Sequence, residues 1–172
     1  MKKATLPALI GALGLMLSLP TQAFVAELAD PAWNGKAVPK GMQCQKFGGE
    51  GPRTPALMIS EIPENTNVLI FEYSDRSHQP MDNGGHGKFG FAINEQTGST
   101  WVPQVSGHSF ELPKGFFMIE AHRNPNWDKA GAYMPPCSGG RNNSYYVTVK
   151  AAQLKDDQLK IHAEKVLELG KY

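Results

Sequence analysis

The chain has 172 residues, a formal net charge of +1 and two cysteines. This length fits one domain with a substantial hydrophobic core. The nearly neutral charge excludes the strongly basic surface on which nucleic-acid-binding proteins depend.

Residues 1–23 have the three parts of a secretory signal peptide. Residues 1–3 include Lys2 and Lys3, residues 4–19 carry no charge, and Thr21 and Ala23 place small residues before the expected cleavage site. We therefore predict a periplasmic or secreted mature domain, residues 24–172, with a net charge of −1 and no integral membrane segment. An uncleaved membrane anchor is the alternative, but the apolar stretch is short for a span of about 20 residues.

The mature chain has the pattern of an all-β domain. Residues 56–60 form a short candidate strand, and residues 66–73 are almost continuously apolar, which predicts a strand buried on both faces. Residues 88–94 alternate between apolar and polar before a polar turn at residues 95–99. Residues 116–122 and 144–150 complete the set. Frequent turn signals between these segments favour a β-sandwich.

The C-terminal segment, residues 158–172, permits two interpretations. Leu159, Ala163, Val166 and Leu169 lie near helical spacing, and Gly170 is a suitable helix stop. Leu159 and Ile161 also begin the alternation of a strand. We predict a helix here.

Cys44 and Cys137 are the two cysteines of the chain. An even number of cysteines in an oxidising compartment indicates a disulfide. We predict a Cys44–Cys137 bond; two unconnected buried thiols are the alternative.

Residues 133–151 combine a rigid segment, an open loop and a strand. Pro135 and Pro136 fix an extended backbone that lacks N–H donors. Gly139 and Gly140 permit positive φ angles and leave backbone N–H groups uncovered. This sequence suits the rim of a ligand pocket.

The same segment resembles the second signature of the phosphatidylethanolamine-binding protein family, which includes the Raf kinase inhibitor proteins. Pro136, Cys137 and residues 144–151 fit that signature, whereas Asn142 or Asn143 stands where the family has a histidine. Further similarity runs in order through residues 33–39, 49–66 and 68–75. The resemblance implies a mainly β, Greek-key β-sandwich with a short C-terminal helix and a small anion-accepting pocket.

The resemblance also implies positions for the pocket. Asp75 matches the second aspartate of the first family signature, and Tyr73 replaces the first. His86 is the nearest candidate for the histidine that follows. With Pro136 and Arg141, these residues are our predicted ligand-binding set.

Two glycine-rich loops strengthen the prediction of an anion site. Gly84, Gly85 and Gly87 precede or flank Lys88, and Gly139 and Gly140 precede Arg141. Exposed backbone amides beside a histidine and an arginine suit a carboxylate or a phosphate. Ordinary surface turns are the alternative interpretation.

Two other functions remain as hypotheses. A metal-dependent or other hydrolase would use the carboxylate and imidazoles of Asp75, His78 and His86, but their spacing fits no recognised ligand motif and no G-x-S-x-G elbow is present. We therefore predict no metal or cofactor, and we favour a binding protein over an enzyme. A protein-interaction module would present Trp127 to an envelope partner, although packing of Trp127 on the domain edge is the favoured interpretation.

Overall fold

The structure, a computed structural model, describes residues 23–172. The predicted signal peptide lies outside these residues except for Ala23, and it stays a prediction. The described part contains eight strands and two short 3-10 helices at Gln45–Phe47 and Gln79–Met81. The strands are β1 Val25–Leu28, β2 Leu57–Ser60, β3 Val68–Asp75, β4 Gly87–Ala92, β5 Ser99–Val102, β6 Phe116–Glu120, β7 Ser144–Lys155 and β8 Gln158–Lys171. None of its helices is long and apolar enough to cross a membrane.

The strands form two antiparallel sheets that share one hydrophobic core. The smaller sheet has the order β1-β2-β5 and the larger one the order β6-β4-β3-β7-β8. Leu57 and Ile59 of the smaller sheet pack in one cluster with Phe71 and Val149 of the larger sheet. The prediction of a mainly β fold is confirmed, whereas the Greek-key connection order stays a prediction.

Strand β3 is the central element of the larger sheet, where it pairs with both β4 and β7. Leu69 and Phe71 belong to the main core, while Val68 and Ile70 pack with Ala152 on the opposite face. The predicted burial of this strand on both faces is therefore confirmed. The position of β3 places its last residue, Asp75, at the end of the sheet where the loops converge.

The predicted C-terminal helix is wrong, because residues 158–171 form strand β8. This strand pairs with β7 along its length, from Lys155 opposite Gln158 to Ser144 opposite Lys171. Asp156 and Asp157 connect the two strands with φ angles of 51° and 59°. Two consecutive positive φ angles are typical of a tight hairpin turn. Pairing with a long neighbouring strand outweighs the weak helical spacing of the segment.

Strands β1 and β5 were not among the predicted elements. Each has four residues and lies at an edge of the smaller sheet. Such short segments carry too little alternation to be distinguished from turns. The other predicted strands are confirmed with shifted ends; β7, for example, continues to Lys155, five residues beyond its predicted end.

Candidate ligand-binding site

A cavity of about 410 Å³ opens where the end of β3 meets the loops that precede β4 and β7. Three chain segments converge there, and a fourth, residues 124–127, closes one side. The lining residues are Asp75, Ser77, His78, Met81, His86, Asn124, Trp127, Met134, Cys137, Ser138, Arg141, Asn143 and Tyr145. Of the predicted ligand-binding set, Asp75, His86 and Arg141 are thus brought together.

His86 forms the inner end of this cavity and is held on both sides by backbone hydrogen bonds. Its N–H donates to the Tyr73 carbonyl at 2.9 Å, and its own carbonyl accepts from the Met134 N–H at 2.9 Å. Its ring stands edge-on to Tyr145, with the ring centres 5.4 Å apart. The side chain is therefore fixed in position before any ligand arrives.

The protonation of His86 follows from its surroundings. Burial lowers the pKa of His86 to about 4, against smaller opposing effects of the Met134 carbonyl and of Asp75. The neutral ring thus predominates at pH 7, and Nδ1, 2.7 Å from the Met134 carbonyl oxygen, carries its proton. Nε2 is left as the ring nitrogen that can meet a ligand.

Asp75 is buried, and both of its carboxylate oxygens have partners. Oδ1 accepts from the Ser77 N–H at 2.8 Å, and Oδ2 accepts from the Asn143 side-chain amide at 2.6 Å. The carboxylate therefore connects the end of β3 to the loop before β7. Its main effect is to fix the cavity wall.

Asn143 is the cavity residue among the two asparagines that stand where the family has a histidine. It lines the cavity, bonds to Asp75, and exchanges two backbone hydrogen bonds with Tyr172 at 2.9 and 3.1 Å. The side-chain amide supplies a donor to the aspartate without carrying a charge. Asn143, rather than Asn142, is thus the residue at the cavity.

We expect Asp75→Ala to lower the free energy of unfolding by about 2 kcal/mol, because the Ser77 and Asn143 donors lose their acceptor in a largely buried place. Urea unfolding of the two proteins measures the difference. Glu111→Ala, which removes an exposed carboxylate away from the cavity, is the matched control and should change little. Equal stability of Asp75→Ala and Glu111→Ala would contradict the bracing role of Asp75.

Arg141 supplies the positive charge at the mouth of the cavity. Its side chain is exposed, and within residues 23–172 it forms no salt bridge. The preceding Gly139 and Gly140 have φ angles of 68° and 76°, as predicted for this loop. Their N–H groups form no hydrogen bond within the described residues. This loop therefore has donors and a charge free for an anion.

The other glycine-rich loop differs from the prediction. The Gly84 N–H donates to Ser74 Oγ at 2.8 Å, and the N–H groups of Gly85 and Gly87 donate to backbone carbonyls. Lys88 pairs with Glu120 at 3.1 Å. The prediction that this loop exposes its amides is wrong, because Ser74 of β3 and two carbonyls within the turn accept their hydrogen bonds. Its contribution to the cavity is the His86 side chain.

Tyr73 and Pro136 do not line the cavity. Tyr73 is buried in the main core between Phe89 and Tyr133, with ring centres 5.3 and 5.0 Å away. Burial raises the pKa of Tyr73 above its usual range, so its hydroxyl stays protonated. Pro136 is buried, and its carbonyl accepts from the Cys44 N–H at 2.9 Å. Both residues are therefore buried behind the residues that line the cavity.

The predicted disulfide between Cys44 and Cys137 is present, with a Cα–Cα distance of 5.2 Å. It ties the segment before the first 3-10 helix to the cavity rim. Trp127 lies beside it: the indole N–H donates to the Cys137 carbonyl at 3.1 Å, and Lys46 Nζ lies 3.6 Å from the ring centre. Trp127 is thus held in place as one wall of the cavity, with 36% of its surface exposed; its presentation to an envelope partner stays a prediction.

Several lining residues were not among the predicted set. Tyr145 and Ser138 follow the signature cysteine, and Met81 and Met134 add apolar surface. Burial raises the pKa of Tyr145 to about 12, so its hydroxyl stays protonated at neutral pH. Tyr145 lies in the predicted strand at residues 144–150. Its position as the first inward-facing residue of that strand is the sequence signal that could have placed it at the cavity.

The hydrolase hypothesis needs Asp75, His78 and His86 close together. All three line the cavity, but within residues 23–172 their ligand atoms are not among those that converge within 4.8 Å. Both Asp75 oxygens also accept hydrogen bonds already. These three residues are thus not arranged as a metal site in the part of the chain that the structure describes, and the hydrolase hypothesis stays a prediction.

Comparison with known proteins gives structural relatives alone. No protein-family model and no curated protein matches the chain. The structure of Escherichia coli YbcL, described as a new member of the mammalian PEBP family, is similar with a TM-score of 0.55 and 19% identity, over 88% of this chain and 98% of that chain. The phosphatidylethanolamine-binding protein homologue CT736 of Chlamydia trachomatis is similar with a TM-score of 0.51 and 19% identity, over 87% of this chain and 97% of that chain. The chain has the fold of the phosphatidylethanolamine-binding proteins, which confirms the resemblance that its motifs carried.

Proposed function

We propose that this protein binds a small anionic ligand in the cavity between His86 and Arg141, as a periplasmic or secreted binding protein. The observation that carries the proposal is the combination of Arg141 at the mouth, which forms no salt bridge within residues 23–172, with the fixed, buried His86 at the inner end. A concave site with a few convergent polar groups is the usual form of a small-molecule site.

The chemistry of the lining favours a carboxylate or a phosphate over a neutral ligand. Arg141 offers planar donors suited to either anion. The Tyr145 hydroxyl lines the same cavity and adds a neutral donor. The amides of residues 139–140, which precede Arg141, form no hydrogen bond within the described residues. The Trp127 ring and Met81 provide apolar surface for the remainder of the ligand. Phosphoethanolamine is one of the probes to be tried, because the structural relatives are named as phosphatidylethanolamine-binding proteins.

Calorimetric titration with phosphate, acetate and phosphoethanolamine tests the proposal. We expect saturable binding of at least one probe, and about fivefold weaker binding by Arg141→Ala, since one exposed charge contributes about 1 kcal/mol. Arg53→Ala removes an exposed arginine outside the cavity and should bind like the unchanged protein. Equal losses in both variants would indicate nonspecific attraction and would refute the site.

The protonation of His86 predicts a pH dependence of anion binding. In the free protein the His86 ring is neutral above its pKa of about 4, so its Nε2 is a hydrogen-bond acceptor. An anion binds better to the protonated ring, in which Nε2 is a donor. Bound anion therefore raises this pKa, and the affinity increases as the pH falls toward 4, by at most about tenfold per pH unit.

Sulfate is the suitable probe for this effect because its charge is constant over the range. Affinity measured from pH 7 to pH 4.5 should rise in the unchanged protein and stay nearly flat in His86→Gln. A parallel rise in both proteins would assign the effect to the general charge of the chain and would remove His86 from the site.

A further inference from the structure

A small apolar cluster, separate from the main core, lies against the cavity. Its buried members are Cys44, Met81, Met134 and Cys137, and Phe47 packs against them. Met81, Met134 and Cys137 also line the cavity. Part of the lining is therefore built of thioether and disulfide sulfur with their methyl and methylene groups, next to the polar groups that suit an anion.

Trp127 adds an aromatic surface that is fixed in position. Its indole N–H donates to the Cys137 carbonyl, and its backbone carbonyl accepts from Lys46 Nζ at 3.0 Å. Lys46 Nζ also lies 3.6 Å from the ring centre, over one face of the indole. Within residues 23–172, Lys46 is not among the residues that line the cavity, so another part of the indole surface borders it. The ring is thus ordered before a ligand arrives, which lowers the entropic cost of binding against it.

The cavity has room for more than a bare anion. Its volume of about 410 Å³ lies within the usual range for a small-molecule site, about 300–1,000 Å³. A carboxylate or phosphate group alone displaces only a few water molecules, at roughly 30 Å³ each. The space beside Trp127 and the two methionines stays wet when such a group binds by itself. An apolar group attached to the anion releases this water from apolar surface, which favours binding.

We propose that the anion bound in this cavity carries an aromatic ring, as an aryl carboxylate or an aryl phosphate does; this inference rests on the proposed anion site. An indole favours an aromatic partner over an aliphatic one of the same size by about two- to tenfold in affinity. Thioether sulfur makes a further favourable contact with the edge of a ring. The charged group of the ligand lies toward Arg141, and its ring lies against Trp127 and Met81.

Calorimetric titration with matched pairs of anions measures the contribution of the ring. Benzoate is compared with acetate, and phenyl phosphate with methyl phosphate, so that the tighter pair identifies the charged group. We expect the aromatic member of that pair to bind at least about tenfold more tightly. Its cyclohexyl analogue, which has similar size but no π electrons, should bind about threefold more weakly than the aromatic anion. An aromatic anion that binds no more tightly than its methyl counterpart, or than its cyclohexyl analogue, would overturn the inference.

Substitution of Trp127 assigns the preference to this ring. Trp127→Leu should lower the ratio of aromatic to methyl anion affinity by about fivefold, and Trp127→Phe should retain most of the ratio. Trp101→Leu, which removes a tryptophan that is 54% exposed on β5 and outside the cavity, is the matched control and should leave the ratio unchanged.

Nuclear Overhauser effects in the unchanged protein, between the ligand ring protons and the Trp127 indole protons, test the contact without any substitution. We expect these effects at Trp127 and none at Trp101. Their absence at Trp127 while the aromatic anion binds, or an equal loss of the ratio in Trp101→Leu, would contradict the inference. Failure of every anion to bind would contradict the proposed function itself, whereas anions bound without preference for a ring would contradict this inference alone.

Discussion

Replacement of both Cys44 and Cys137 by alanine is expected to lower the free energy of unfolding by about 4–5 kcal/mol. The disulfide joins residues 93 positions apart, and closing so long a loop removes much of the entropy of the unfolded chain. The first 3-10 helix and the cavity rim lose their covalent connection together. Guanidinium unfolding of the two proteins measures the effect.

Reduced protein of unchanged sequence is the control for this prediction, because it loses the bond and keeps both sulfur atoms. It should show nearly the same loss as the double alanine variant. A loss below about 1 kcal/mol in both samples would contradict the structural role assigned to the disulfide, given the usual range for such bonds.

Gly87→Ala is expected to cost about 3 kcal/mol of stability and to displace His86. Gly87 has a φ angle of 124°, and an added Cβ would lie 2.1 Å from the Ala132 carbonyl oxygen. Both the backbone conformation and the contact exclude a side chain, so the strand must move away from residues 132–134. That movement breaks the hydrogen bond between the Met134 N–H and the His86 carbonyl.

Gly98→Ala is the matched control, since an added Cβ there meets nothing within 4 Å. Urea unfolding should separate the two variants clearly, and the anion affinity of Gly87→Ala should fall while that of Gly98→Ala stays normal. Similar stability of the two variants would show that the close approach at Gly87 is unimportant.

The sequence predicts a strand correctly where burial sets the pattern of its apolar residues. It is insufficient where strand formation depends on hydrogen bonding to another strand. The strand that ends at Asp75 is apolar on both faces because sheet neighbours and core cover it, and this is visible in its residues. The segment from Leu159 to Leu169 has weak alternation, and it is a strand because β7 offers a continuous partner. No local property of the segment carries that information.

The same distinction applies to the site. Asp75 and His86 follow from their motifs, because a strand end and a tight turn place them where loops converge. Tyr73 shares a strand face with Asp75, yet it lies one step deeper and packs into the core. The position of Trp127 depends on a hydrogen bond to Cys137 and a contact with Lys46. Such long-range contacts depend on the folded arrangement of distant segments.

The most direct test of anion binding in this cavity is NMR of the imidazole groups during titration with sulfate and phosphoethanolamine. The chain has five histidines; His86 and His78 line the cavity, and His162 in β8 serves as an internal reference. The account predicts saturable shifts of His86 and His78, a raised pKa of His86 in the bound state, and no change at His162. If the His86 resonances stay unmoved while the ligand binds, or if no anion binds at all, the account of this cavity as an anion site is contradicted.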